Sequence, residues 1–167
     1  MPKARRAVVV ETEQLASRDL YEADEHAWIA AQIDALDTGR LDLLDRDTLI
    51  EYLTEMTVRD RRELRSRLTV LLHHLLKLRM QPERLTRGWV STIIEQQREI
   101  RSIIESIPSL GRQADATAVA AYRDAVRIAS RETGIAAAQF PSESPWTVAQ
   151  ALAIDPPEPV PRARRQR

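Results

Sequence analysis

The stretch Leu64-Arg65-Ser66-Arg67-Leu68-Thr69-Val70-Leu71-Leu72-His73-His74-Leu75-Leu76-Lys77-Leu78 decides the fold. Leu64, Leu68, Leu71, Leu75 and Leu78 recur at intervals of three and four, which stacks them along one side of an α-helix. Leu72 and Leu76 widen that stripe, so the segment is expected to be the central core helix of the chain. Upstream, the helical pattern reaches back to Asp45, with Leu44 and Leu49 spaced as a hydrophobic staple around an Asp45 cap. Downstream, it runs towards Gln81 and stops before Pro82. A break near Thr57 is allowed, and the continuity of the Asp45–Gln81 helix stays open.

The flanks read the same way. A first helix is expected from about Asp19 to Thr38, with Asp19 and Glu22 at capping-box spacing and Gly39 as its stop. It carries Tyr21, Trp28, Ile29 and Leu36 on one side. Beyond Pro82 and Gly88, a helix from about Trp89 to Ile107 carries Trp89, Ile93, Ile100, Ile104 and Ile107 in a stripe. Pro108 and Gly111 then break the chain. A further helix from about Gln113 to Thr133 has Val119, Tyr122, Val126 and Ala129 on one face and ends at Gly134. Phe140-Pro141 and Ser144-Pro145 mark a turn-rich connection. Thr147 and Gln150 then fit the capping box of a last short helix. No segment alternates as a strand does. The fold class is therefore all-α, a compact bundle of about five to six helices over residues 19–154. Residues 1–18 are expected to be a flexible arm, and the Pro-rich, Arg-rich residues 155–167 a disordered tail.

Charge is balanced overall but not locally. Lys+Arg and Asp+Glu each number 25, yet Asp19–Val58 has a net charge of −9 and Arg59–Arg101 one of +6. The plain reading is an acidic helical layer beside a basic one. Cysteine is absent, which excludes disulfides and thiolate chemistry and suits the cytoplasm. Ala7-Val8-Val9-Val10 is too short for a signal-peptide core, and no apolar run approaches the roughly 20 residues of a spanning helix. No membrane association is expected.

Several residues, in their order and spacing, carry a family resemblance. They are Leu20-Tyr21, Asp24 and Trp28; His74-Leu75-Leu76-Lys77; Gln81-Pro82-Glu83-Arg84; and Trp89, Ile93, Gln96 and Ile100. Ala121-Tyr122, Arg131-Glu132-Thr133-Gly134, Phe140-Pro141 and Pro145-Trp146-Thr147 complete the set. From about Leu20 to Leu152 the chain resembles the domain-of-unknown-function family 29, widespread in cyanobacteria and other bacteria. The resemblance implies an all-helical single domain and no particular reaction. Glu25 and Leu78 stand where the family tends to be aromatic.

Candidate chemistry begins with three histidines. His73 and His74 are adjacent, so on a helix they point about 100° apart and cannot share a metal. His73 falls on the polar side of the Leu-rich helix and His74 at the border of its stripe. No histidine follows a Glu at the three-residue spacing of a di-iron bundle, so no metal site and no cofactor are expected. Gln97 projects among isoleucines, and Glu25 and Gln32 within the Trp28 arc. Such groups need buried partners, and their plain role is a hydrogen-bond network that fixes helix register.

Asp24, Gln32, His74 and Gln96 are the candidate lining of a polar pocket. Arg59, Arg61, Arg62, Arg65 and Arg67 are the candidate basic patch. They spread around the helix, Asp60 and Glu63 interrupt them, and aromatic residues make up only 4% of the chain, which disfavours nucleic acid. There is no Gly-rich phosphate loop and no nucleophile elbow. Three functions follow in order. The first is a non-enzymatic interaction or accessory module of the bacterial cytoplasm, with a protein partner or self-association. The second is a ligand-binding protein or enzyme with a site around His74. The third is a nucleic-acid-associated protein using Arg59–Arg67. Whether the chain is an enzyme stays open at this level.

Overall fold

The computed structural model describes residues 17–158; the rest of the expected arm and tail, 1–16 and 159–167, lies outside the described residues. The chain groups into two compact units, Met1–Val58 and Arg59–Arg167. The described residues are all-α and contain no strand. In order they form α1 (17–23), α2 (Glu25–Asp37), a 3₁₀ turn (Leu41–Leu43), α3 (Arg46–Met80), a 3₁₀ turn (Pro82–Arg84) and α4 (Arg87–Ser106). α5 (Pro108–Gly111), α6 (Ala114–Thr133), a 3₁₀ turn (Ala137–Gln139) and α7 (Val148–Ala153) follow. α3 is one unbroken helix of 35 residues, so the allowed break near Thr57 does not occur.

In the N-terminal unit the single helix expected over Asp19–Thr38 is two. Residues 17 and 18 are already helical, which corrects the boundary of the arm. The capping role expected of Asp19 falls to Asp24 instead, whose backbone leaves helical geometry (φ −152°, ψ 89°) and whose Oδ1 accepts from the Ala27 N–H at 3.0 Å. α2 stops where expected, with Gly39 at φ +70°, a conformation cheap only for glycine. Asp45 caps α3 by accepting from the Thr48 N–H at 3.3 Å. The interior is aromatic and polar. Tyr21 and Tyr52 meet Trp28 edge-on, with centroids 4.9 and 5.6 Å away. Gln32 is buried and accepts from the Asp45 N–H at 2.8 Å.

Among the described residues of this unit, Trp28 and Ala35 are the buried apolar ones. Leu20, Ile33, Leu36, Leu41, Leu43, Ile50, Leu53 and Met56 are exposed, whereas the C-terminal unit exposes Ile94 and Val119. Leu36 was expected on the inner side of its helix and is 52% exposed. Trp28 Nε1 and Asp45 Oδ2 are buried with no hydrogen-bond partner among the described residues.

The C-terminal unit holds the apolar core. Leu64, Leu68, Leu71, Leu72, Leu75 and Leu76 of α3 pack with Ile93 and Ile100 of α4 and with α6. The leucine stripe is the core, as its spacing implies. α6 contributes Ala118, Ala121, Tyr122, Ala125 and Ala129. Val119, expected to be inner, is 58% exposed, because small alanines rather than valines form the buried seam. Pro108 starts the short α5, a use of proline that a break signal does not distinguish from a loop. Gln97 is buried and donates to the carbonyls of Ala151 at 3.0 Å and Ile154 at 2.7 Å, which ties the end of α7 to α4. The Thr147–Gln150 capping box is present as expected. Pro156, inside the expected tail, is buried.

Candidate functional site

A cluster of charged groups, buried on its α3 side and open to solvent at Glu132, sits where the C-terminal turns of α3 meet the end of α6. His73 and Lys77, one helical turn apart, face the same way, and both are buried. Glu132 reaches them from α6. His73 Nε2 lies 3.0 Å from Glu132 Oε2, and the Lys77 ammonium donates to the same oxygen. Trp89, at the start of α4, covers Lys77, whose Nζ is 4.1 Å from the ring centroid. Gln81 donates to the Thr133 carbonyl at 3.3 Å, and Gly134, at φ +75°, lets the chain leave α6 just beyond it.

The electrostatics favour a neutral imidazole beside a charged carboxylate. Burial pushes His73 below the ordinary histidine value, against the hydrogen bond and charge of Glu132. A neutral His73 must carry its proton on Nε2 to donate to Glu132. Burial raises the Glu132 carboxyl, and hydrogen bonds from Lys77 and His73 more than reverse that, leaving it below its usual value. His74 points elsewhere. It is half-buried, its Nδ1 donates to the Val70 carbonyl at 2.9 Å, and burial lowers its pKa as well.

The sequence singled out His74 and set His73 aside as a polar-side residue. The structure reverses their burial, because α6 packs over that side of α3 and brings Glu132 from 59 residues away. Lys77 and Glu132 were not singled out as site residues. Two signals could have found them: a lysine inside a run of leucines, four residues after His73, and an acid next to a helix-terminating Thr-Gly pair.

The four expected pocket residues divide between the two units. Asp24 is exposed and caps α2. Gln32 holds the Asp45 backbone and, at 3.5 Å, Ser17. Both belong to the N-terminal unit, whereas His74 and Gln96 are half-buried in the C-terminal unit with no hydrogen bond between them. Of the five expected patch arginines, Arg65 is paired with Asp124 at 2.7 Å. Arg67 is paired with Glu63 at 2.8 Å and approaches Glu99 at 3.6 Å. Arg59, Arg61 and Arg62 are exposed.

Three cavities lie in the C-terminal unit, away from this cluster. One of ~560 Å³ is lined by Tyr122, Arg123, Ser144 and Trp146 among others. One of ~350 Å³ lies between Arg101, Ile104, Val148 and Leu152. One of ~380 Å³ lies by Arg62, Arg65, Asp124 and Arg127. None of the three is lined by His73, His74, Lys77, Gln96 or Glu132. Among the described residues no group of three or more His, Asp or Glu is placed to hold a metal ion, and no helix is long and apolar enough to cross a membrane.

These features define an all-α protein with a half-buried charged cluster in one unit and bare apolar side chains in the other. The chain belongs to the family described as Domain of unknown function DUF29, whose model matches residues 20–155. No curated protein and no solved structure matches it. Lys77, Gln81, Trp89, Glu132 and Thr133, all residues that carried the resemblance, converge on the charged cluster.

Proposed function

We propose that the chain is a non-enzymatic protein-interaction module of the bacterial cytoplasm, and that its binding element is the N-terminal helical unit. One observation carries this reading: among the described residues the exposed large apolar side chains gather in that unit, while its buried apolar residues are Trp28 and Ala35. Exposed large apolar side chains gathered in one part of a protein are characteristic of interaction surfaces. The charged cluster supports the non-enzymatic half of the reading. Its lysine, histidine and carboxylate satisfy one another under Trp89, the arrangement of a structural tie between helices rather than of a poised acid or base.

The test is a photo-crosslinking residue placed at Leu53 in cells, with the same residue at the exposed Ser91 of α4 as reference. Discrete protein adducts at Leu53 and none at Ser91 are expected. Adduct-free chain at both positions would remove the reading.

A further inference from the structure

Resting on that reading, we propose that the N-terminal unit docks a basic amphipathic helix of a partner protein against its exposed apolar side chains. On α2 the apolar arc does not stop at the buried side. It continues from Trp28, Gln32 and Ala35 round to Ile29, Ile33 and Leu36, and Ile33 is 60% exposed. On α3, Ile50 and Leu53, one turn apart, are exposed on the side away from the buried Thr48. Intervals of three and four residues present ridges that the side chains of another helix fill.

Charge selects which helix. Asp19–Val58 has a net charge of −9, and its acids are interleaved with the bare apolar positions. Asp34 and Asp37 flank Leu36, and Glu51 follows Ile50. Arg40 pairs with Asp34, and Arg18 lies 4.0 Å from Glu51. Asp37, Asp42, Asp47 and Glu55 make no ion pair among the described residues. A partner with lysines or arginines flanking its apolar stripe meets both demands, and complementary potentials speed and orient the encounter.

Neither unit of a second copy meets both demands. Its acidic unit would bring like charge to like charge. Its basic unit offers Ile94 and Val119 as its exposed large apolar side chains, too few to fill the stripe.

The unit also has an interior that a docked helix would complete. Among the described residues Trp28 Nε1 and Asp45 Oδ2 are buried without hydrogen-bond partners, and the fully buried apolar content is small. Elements of this kind are stabilised when a further helix binds and covers them.

The experiment uses the full chain and two labelled amphipathic peptides with the same leucine stripe, one flanked by lysine and one by glutamate, followed by fluorescence anisotropy. The chain should bind the Leu/Lys helix, more weakly as salt is raised, and leave the Leu/Glu helix free. Ile33→Ser with Leu36→Ser, or Ile50→Ser with Leu53→Ser, should weaken that binding by about tenfold or more, the effect of losing anchor side chains. All four positions are exposed, and circular dichroism of each variant checks that the helices persist.

Several results overturn the proposal: no binding of the Leu/Lys helix, equal binding of the Leu/Glu helix, or serine variants that bind as the parent does. A dimer in sedimentation that the serine variants dissolve would make a second copy the occupant. Binding that emerges only after deletion of residues 1–16 would make that segment the occupant. Crosslinks at Leu53 without Leu/Lys binding would leave the interaction module standing and remove the basic helix. Absence of both removes both readings.

Discussion

The two compact units bury opposite materials. The C-terminal unit encloses leucine, isoleucine and alanine side chains and ties its helices with satisfied polar groups, Gln97 to two carbonyls and Glu132 to His73 and Lys77. Among its described residues the N-terminal unit encloses a tryptophan, an alanine, a glutamine, a threonine and a capping aspartate, half-buries Ile29, Leu44 and Leu49, and leaves most of its other leucines and isoleucines exposed. Burial of apolar area is the main favourable term in folding, so these units should differ in how much each contributes to stability. What the C-terminal unit keeps for itself, the N-terminal unit keeps available.

The largest expected effect measures that contrast directly. Leu75→Ala, at a site 1% exposed, should destabilise by about 2–5 kcal/mol in urea unfolding. Leu53→Ala, at a site 53% exposed, should change stability by about 0.5 kcal/mol or less. Equal losses would erase the distinction between a core and a binding surface.

That distinction was only half legible in the sequence. The leucine stripe, the Gly39 and Gly134 stops and the Thr147 cap depend on neighbours three to seven residues apart, and local pattern resolves them. Leu36 and Val119 have the spacing of core residues but are exposed, because periodicity reports that a face is apolar and not what covers it. The charged cluster was hidden for a related reason. His73 lies on the polar side of its helix, and only the packing of α6 turns that side inward. The Gln97 tie was anticipated in kind, as a buried amide among isoleucines, but its acceptors on and beyond α7 were not.

A smaller effect is expected at the cluster. Glu132→Gln removes the carboxylate that both His73 and Lys77 contact while keeping its shape. The cost should be about 1–3 kcal/mol, held down because the Glu132 side chain is 44% exposed and water can replace part of the pairing. The same groups set an acid limit. The folded-state pKa of His73 lies below its ordinary 6.5, so the folded state binds that proton less readily than the unfolded one. Its contribution is complete above about pH 6.5 and is lost as pH falls towards the depressed value. The depressed Glu132 adds loss of the same sign below its ordinary 4.5. Urea midpoints should therefore fall with acidification. His73→Gln should flatten the upper part of that fall, and a profile identical in the variant would show that His73 does not titrate there.

The smallest effect probes the incomplete interior of the N-terminal unit. Asp45 has two carboxylate oxygens with opposite fortunes: Oδ1 caps α3 at the Thr48 N–H, and Oδ2 is buried with no partner. Asp45→Ser retains a cap acceptor, since serine and aspartate serve nearly equally at that position, and deletes the orphan oxygen. Relief of an unmet buried acceptor is worth about 1–3 kcal/mol at most. The change also gives up a negative charge at a helix N-terminus, worth about 0.3–1 kcal/mol. These terms oppose each other, so the net should be near zero or slightly stabilising. Asp45→Ala loses the cap as well and should fall below Asp45→Ser by about 0.5–2 kcal/mol. Urea titrations of the three proteins, followed by tryptophan fluorescence, supply the comparison. A loss above about 1 kcal/mol in Asp45→Ser, twice the usual scatter of a surface change, would mean that Oδ2 has a partner after all. Trp28 Nε1 would then be the one unpartnered buried side-chain atom left among the described residues of the N-terminal unit, and the bare apolar side chains would be the main difference between the units.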